Sequence, residues 1–190
     1  MRRTQENPGL DTRLRMNRFL AGIERRAFRI AQLSLRDRDD ALDAVQDAML
    51  QLARRYAGRP EQEWTPLFYR ILQSRVRDCQ RRRRVRNRVM SLFVGARDEE
   101  GEAFDPVAAA PDPHTPDPAS RVAQQAAMDA LETALESLPA RQREAFLLRI
   151  LEGLDVADTA RAMGCSEGSV KTHLSRALHS LRDSLKEHWT

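Results

Sequence analysis

Residues 166–177, near the carboxyl end, carry short polar and cationic side chains at helical spacing. Lysine and arginine can bind phosphates or guanine edges, while serine and threonine hydroxyls can hydrogen-bond to phosphates and bases. The chemistry that these residue types predict is recognition of DNA by non-covalent contacts. The candidate contacts are Ser169, Lys171, Thr172, His173, Ser175 and Arg176.

Two short helices joined by a tight turn would position this row. Asp155 stands where an N-cap belongs, Gly164 marks the turn, and Ser166 can cap the second helix. Behind the polar row, apolar residues recur every three or four positions from 170 to 185. The pattern predicts a helix-turn-helix whose second helix enters the major groove. A purely structural helical hairpin would have a similar pattern and remains an alternative.

Helical periodicity also runs through the amino-terminal block. Apolar residues over 19–30 recur at steps of three and four, which predicts a helix over about 14–33. A second helix is predicted over about 38–55, and a third begins with Pro66 in its first turn, after a loop over 57–65. Because no strand pattern competes, the predicted fold class is all-α, with two small helical domains.

An acidic and amide ridge lies off the apolar stripe of the second helix. It consists of Asp40, Asp43, Gln46 and Asp47, at steps of three and four residues. Taken alone, such a ridge is typical of a solvated helix face.

The third helix carries a dense row of arginines between positions 75 and 88. Unpaired guanidinium groups at this density repel one another unless phosphates lie nearby, so the row favours nucleic-acid contact over a solvated basic face. Trp64 and Tyr69 stand beside it and could stack on single-stranded bases, although burial in the core is an equally open interpretation. The candidate residues of this surface are Trp64, Tyr69, Arg75, Arg77, Asp78, Arg81 and Arg82.

Charge divides the chain into three parts. Residues 1–97 have a net charge of +12, residues 98–120 carry seven acids and no base, and residues 121–190 have a net charge of −1. The acidic stretch also holds five of the nine prolines and few large apolar residues, so it predicts an extended linker. We therefore expect one domain over 12–94, a flexible linker over 95–120 and a second domain over 121–190.

The remaining composition argues against several protein classes. Cys79 and Cys165 lie far apart in sequence without metal-ligand spacing, and the four histidines form no cluster with carboxylates. Neither a signal peptide nor an apolar segment of about 20 residues is evident. We expect no metal, no cofactor, no catalytic residues and no membrane insertion, and a cytoplasmic location.

Three segments in this order resemble the extracytoplasmic-function (ECF) sigma factors, a subfamily of the sigma-70 family of bacterial RNA polymerase. DDALDAVQDAMLQLARRY from Asp39 is similar to the family's polymerase-binding helix, and LFYRILQSRVRDCQRRRR from Leu67 is similar to its start-proximal promoter-reading helix. The stretch from Leu138 to Leu178 resembles the closing helix-turn-helix. The resemblance covers nearly the whole chain outside the extreme amino terminus and the linker.

The resemblance implies a role for each surface. The acidic ridge would dock on the clamp helices of the largest polymerase subunit, and residues 57–65 would capture a flipped base of the melted strand. The arginine row would read the minus-10 box and the helix-turn-helix the minus-35 box. The partners that the resemblance implies are core RNA polymerase, including its flap region, promoter DNA and an anti-sigma factor.

Two other functions fit parts of the pattern. A stand-alone transcriptional regulator could dimerise through the first domain and bind a palindromic operator tightly without polymerase. A nuclease would need a cluster of carboxylates or histidines able to hold a metal, which the sequence does not suggest.

Overall fold

A computed structural model of the chain describes residues 8–93 and 118–186, and all regular structure in these ranges is helical, as predicted. The helices are α1 (Pro8–Leu35), α2 (Arg38–Tyr56), α3 (Glu61–Phe93), α4 (Pro118–Ser137), α5 (Ala140–Phe146), α6 (Val156–Met163) and α7 (Glu167–Leu185). A π-helical segment, Leu147–Leu151, continues α5. Most of the predicted linker lies outside the described residues, and its last three residues begin α4.

The break between α1 and α2 is built from two adjacent residues. Arg36 adopts a left-handed φ of 54°, which ends α1. Asp37 then caps α2, because its carboxylate accepts a hydrogen bond of 2.9 Å from the amide of Asp40. The two helices can therefore fold back on each other with a very short connection.

The predicted start of the third helix is wrong. Helix α3 begins at Glu61, so the loop is confined to residues 57–60 and Pro66 lies inside the helix. Glu61 and Glu63 favour the positive end of the helix dipole, and Trp64 is anchored in the core with its ring centroid 5.6 Å from that of Phe19. These contributions outweigh the helix hydrogen bond that Pro66 cannot make.

One hydrophobic cluster joins the two described ranges, which we call the amino-terminal unit (8–93) and the carboxyl-terminal unit (118–186). Phe68 and Leu72 of α3 belong to the same cluster as Leu148 and Val170, and all four are fully buried. A smaller cluster links α4 to α7 through Leu135 and Leu181, among others. We call this packing of one unit against the other the closed arrangement.

The units meet along two lines. Helix α3 packs against α6, while α1 contacts both α4 and the π-helical segment. Arg36 of α1 pairs with Glu136 of α4, and the Nη2 of Arg29 lies 3.8 Å from the sulfur of Met128. Within the described residues, none of the helices combines the length and apolar character that a bilayer span requires.

Candidate nucleic-acid interfaces

The helix-turn-helix forms as predicted, and its turns rest on specific caps. The carboxylate of Asp155 accepts a hydrogen bond of 2.6 Å from the amide of Asp158, which caps α6. Gly164 ends α6 with a left-handed φ of 63°, a conformation that costs glycine little. The hydroxyl of Ser166 then accepts a hydrogen bond of 3.2 Å from the amide of Ser169 and caps α7.

Helix α7 presents most of its predicted contact residues to solvent. Lys171, Thr172, Ser175 and Arg176 are exposed, and Val170 on the opposite side is fully buried. The hydroxyl of Ser169 lies 2.9 Å from that of Ser166, so it is engaged at the helix start. The side of α7 that could enter a major groove is therefore open.

His173 departs from this pattern. Its side chain is half-buried, and its Nδ1 is enclosed without a hydrogen-bond partner among the described residues. Because α7 turns by about 100° per residue, position 173 falls between the polar face and the buried stripe. The ring packs at the edge of the helix instead of lying on the outward face.

The arginine row on α3 is not the array of unpaired charges that the sequence suggests. Arg75 donates a 2.8 Å hydrogen bond to Gln51 and lies 3.8 Å from the carboxylate of Asp47. Arg81 pairs with Asp78 at 3.3 Å, one turn away on the same helix. The repulsion argument for a phosphate partner is therefore weaker for this half of the row.

Arg83 makes the most extensive set of contacts in the row. Its guanidinium lies 2.6 Å from a carboxylate oxygen of Asp37 and 2.6 Å from one of Asp40, and it donates a 2.7 Å hydrogen bond to the carbonyl of Leu35. Burial opposes ionisation of Asp40, but Cys79 and Arg83 together lower its pKa. Arg83 thus fixes α3 to the start of α2, while Arg82, Arg84 and Arg86 point to solvent.

Arg77 pairs with an acidic residue of the carboxyl-terminal unit. Its Nη1 lies 3.2 Å from Oε1 of Glu144, whose side chain is only 5% exposed. Arg141 binds the other oxygen of that carboxylate at 2.7 Å. Burial raises the pKa of Glu144, although Arg141 and Arg77 both act in the opposite direction. In the closed arrangement, a predicted minus-10 contact is therefore paired with a carboxylate of the other unit, although the Arg77 side chain itself stays 47% exposed.

A second carboxylate crosses the same interface. Oε2 of Glu152 accepts a 3.0 Å hydrogen bond from the Nε of Arg26, and its side chain is 4% exposed. The pKa of Arg26 is raised, chiefly by this hydrogen bond and by the charge of Glu152. The sequence did not indicate either contact between the units, because the arginines Arg77 and Arg26 lie far from Glu144 and Glu152 along the chain.

The predicted stacking role of Trp64 and Tyr69 is contradicted by their burial. Trp64 is 2% exposed and Tyr69 is fully buried, so neither ring is open to a base. Tyr69 packs edge-on against Phe68, with centroids 5.3 Å apart, and burial raises the pKa of its hydroxyl. The alternative interpretation, burial in the core, is confirmed for both residues. Both lie on α3, which begins at Glu61 and turns these side chains into the core.

The acidic ridge occupies the outer side of α2. Asp43, Gln46 and Asp47 are exposed, and two apolar residues, Leu42 and Leu50, are exposed beside them. Asp40 differs, because Arg83 already holds its carboxylate at 2.6 Å. Three of the four predicted docking residues are thus exposed on one surface together with apolar contacts, and of these Asp47 also lies 3.8 Å from Arg75.

No group of three or more potential metal ligands comes together within residues 8–93 and 118–186. Cys79 is buried and Cys165 is half-buried, and both are free thiols.

Comparison with known proteins identifies the family of the chain. Residues 128–181 match the model of sigma-70 region 4. The chain is 34% identical over 155 residues to the ECF RNA polymerase sigma factor SigM of Mycobacterium tuberculosis, covering 80% of this chain and 68% of SigM. It is 42% identical over 64 residues to the ECF sigma factor BldN of Streptomyces coelicolor, covering 34% of this chain and 24% of BldN.

Solved structures agree with this relationship. The sigma factor RpoE of Bartonella quintana, crystallised with the anti-sigma factor NepR, superposes with a TM-score of 0.60 at 27% identity, covering 93% of this chain and 97% of RpoE. CnrH, solved with the cytosolic domain of CnrY, shares the fold with a TM-score of 0.57 at 19% identity, covering 90% of this chain and 88% of CnrH. The chain belongs to the ECF sigma factors, which bind core RNA polymerase and direct promoter-specific transcription.

Proposed function

We propose that three helices of this sigma factor have separate roles: α2 docks on core polymerase, α3 reads and opens the minus-10 box, and α7 reads the minus-35 box. The observation that carries the proposal is the open outer face of α7, where Lys171, Thr172, Ser175 and Arg176 are exposed above a buried stripe. Short and cationic side chains on an accessible helix fit base edges and phosphates.

The docking surface on α2 combines acidic and apolar groups. Leu42 and Leu50 are 38% and 51% exposed, and Asp43, Gln46 and Asp47 lie between them on the same helix. Exposed large apolar residues rimmed by charge are typical of protein-binding surfaces. We assign this surface to the clamp helices of the largest polymerase subunit, and the carboxyl-terminal unit to the flap region.

We assign Asp40 a positioning role instead of a direct contact with polymerase. Because Arg83 already binds its carboxylate, Asp40 positions α3 relative to α2 and contributes less to the polymerase contact. Docking on α2 is thereby mechanically linked to the helix that reads the minus-10 box.

Binding of a DNA phosphate by Arg77 in place of its present partner requires that Glu144 leave the guanidinium. Desolvation makes a buried ion pair a weak source of net stability, so exchange of this carboxylate for a DNA phosphate is energetically accessible. The remaining candidate contacts, Arg75, Asp78, Arg81 and Arg82, need no such separation of the units.

The chain would make no covalent change to its substrate, because opening of DNA would be driven by binding free energy alone. Like RpoE, which was crystallised with an anti-sigma factor, it would be held by an anti-sigma protein, and it would act in the cytoplasm. Affinity for promoter duplex should fall by roughly 0.9 log units per log unit of salt for each phosphate neutralised.

Run-off transcription with purified core polymerase on a promoter library tests the proposal. The wild-type chain should initiate at a defined subset of promoters, and the double variant Asp43→Ala and Gln46→Ala should lose most of that activity. The matched control is Asp39→Ala, also exposed on α2 but outside the ridge. Full initiation by the double variant would contradict the docking role of the ridge.

A stand-alone regulator predicts a different binding result. Such a protein would bind its site equally well with and without core polymerase, whereas a sigma factor with the assigned surfaces requires the polymerase for tight binding. Electrophoretic mobility shifts on the selected promoters, with and without core enzyme, separate the two functions.

A further inference from the structure

A cavity of about 360 Å³ opens between α1, the first turns of α3 and the carboxyl-terminal unit. Three arginines of α1 line it: Arg15, Arg18 and Arg26. The ring of Phe19 forms another part of the wall, and Glu61 and Thr65 border the cavity from α3. The cavity therefore combines cationic groups with an aromatic surface, the two features that single-stranded nucleic acid uses.

The position of the cavity connects it to the promoter surface. Glu61 and Thr65 belong to α3, the helix that we assign to the minus-10 box. A strand bound along the start of α3 would lie close to the arginines of α1. Arg18 has no ion-pair partner among the described residues, while Arg15 pairs with the exposed Asp11 at 3.2 Å.

Glu152 closes the cavity from the other unit. Its side chain is 4% exposed, and its carboxylate lies 3.0 Å from the Nε of Arg26. Glu144 makes the equivalent contact on Arg77, a predicted minus-10 residue. Across this one interface, two carboxylates occupy arginines of the amino-terminal unit as a phosphate would.

We propose that Arg15, Arg18 and Arg26 form a binding site for a backbone phosphate of the melted promoter strand, and that Glu152 blocks this site in the closed arrangement. The inference rests on the proposed function, since the strand becomes available only during promoter opening. Separation of the units removes one negative charge from the cavity and frees Arg26. The same movement frees Arg77, so both strand contacts become available together.

The test measures binding of a fluorescein-labelled oligothymidylate of about 16 nucleotides to the full chain by fluorescence anisotropy. Arg18→Gln should weaken binding several-fold and lower the salt slope by about 0.7, the value for one single-strand phosphate. The control is Arg13→Gln, an exposed arginine on the other side of α1, and its effect should be clearly smaller.

A gain of binding tests the role of Glu152 independently. Glu152→Gln keeps the shape of the side chain but removes the charge, so it should bind the oligonucleotide several-fold more tightly than the wild type. Glu24→Gln removes an exposed charge from α1 outside the cavity and should have little effect. Thermal unfolding by circular dichroism confirms that each variant is folded.

Three results would overturn the site. Equal losses of oligonucleotide affinity in Arg18→Gln and Arg13→Gln would show that α1 contributes only through its general positive charge. An unchanged affinity in Glu152→Gln would show that Glu152 does not block the site. Displacement of the strand by inorganic phosphate at constant ionic strength would assign the site to free phosphate. A wild-type chain that supports transcription with core polymerase while any of these holds would leave the proposed function intact, whereas a transcriptionally inactive wild type would refute the proposed function itself.

Discussion

The two helices assigned to promoter DNA differ in what occupies them. Helix α7 leaves Lys171 and Arg176 exposed, whereas Arg77 of α3 is bound by Glu144 of the other unit. In the closed arrangement, the face of α7 that we propose for the minus-35 box is open, while the face of α3 that we propose for the minus-10 box is partly paired with the other unit. The difference suggests an order in which minus-35 contact precedes full engagement of the minus-10 box.

The largest effect should come from breaking the core that the two units share. Leu148→Ala should lower the free energy of unfolding by about 2–5 kcal/mol, because this fully buried side chain belongs to the cluster that also contains Phe68. Ile150→Ala, at a position 55% exposed, is the control and should change it by less than about 0.5 kcal/mol.

Two spectroscopic probes together test whether the units pack against each other in solution. Trp189→Phe leaves Trp64 as the only tryptophan of the two, and its emission then reports the amino-terminal unit. In urea, fluorescence and circular dichroism should show the same loss for Leu148→Ala. A loss seen only by circular dichroism would mean that α3 is not covered in solution.

Arg176→Ala tests the exposed face of α7. We expect a loss of about 1–3 kcal/mol in affinity of the holoenzyme for its selected promoters, because a base or phosphate contact disappears. Stability should be unchanged, since the side chain is exposed. Arg182→Ala, further along α7 and also exposed, is the matched control in mobility-shift titrations. Equal losses for the two variants would argue against a specific contact at position 176.

Asp155→Ala should remove the N-cap of α6, the first helix of the helix-turn-helix. The amide of Asp158 would lose an acceptor now 2.6 Å away, at a cost of about 1 kcal/mol in the free energy of unfolding. Asp155→Asn retains an acceptor and should recover most of that loss in urea titrations. A variant with asparagine no more stable than the one with alanine would show that the cap is dispensable.

The smallest effect is a pH dependence of stability that comes from the buried carboxyl group of Glu144. The pKa of Glu144 is raised above its ordinary value of 4.5, mainly by burial, so the folded chain binds this proton more tightly than the unfolded chain. Its contribution to stability is therefore full below pH 4.5 and is lost as the pH rises through the folded-state pKa.

Glu144→Gln isolates this contribution. The stability of the wild type relative to the variant should decrease as the pH rises through that window, and urea unfolding at a series of pH values measures the difference. Glu136→Gln, a partly exposed carboxylate in the same unit, serves as the comparison. A difference that increases with pH would mean that Arg77 and Arg141 dominate over burial.

Much of this molecule could be predicted from local sequence. The apolar spacing of α1, α2 and α7 predicted their buried faces, and Asp155, Gly164 and Ser166 predicted the turns of the helix-turn-helix. These features follow from helical periodicity and from hydrogen bonds between residues three or four positions apart. Such signals depend on neighbours along the chain, so the sequence alone determines them.

Other features depended on residues far apart in sequence. Burial of Trp64 against Phe19 favours a start of α3 at Glu61. Carboxylates distant in sequence form ion pairs with the arginine row, and they are Asp37, Asp40, Asp47 and Glu144. The carboxylates on Arg77 and Arg26 lie 67 and 126 positions away from them. Sequence determined which groups carry charge, but only the tertiary structure decided which charges meet, because pairing depends on the packing of distant helices.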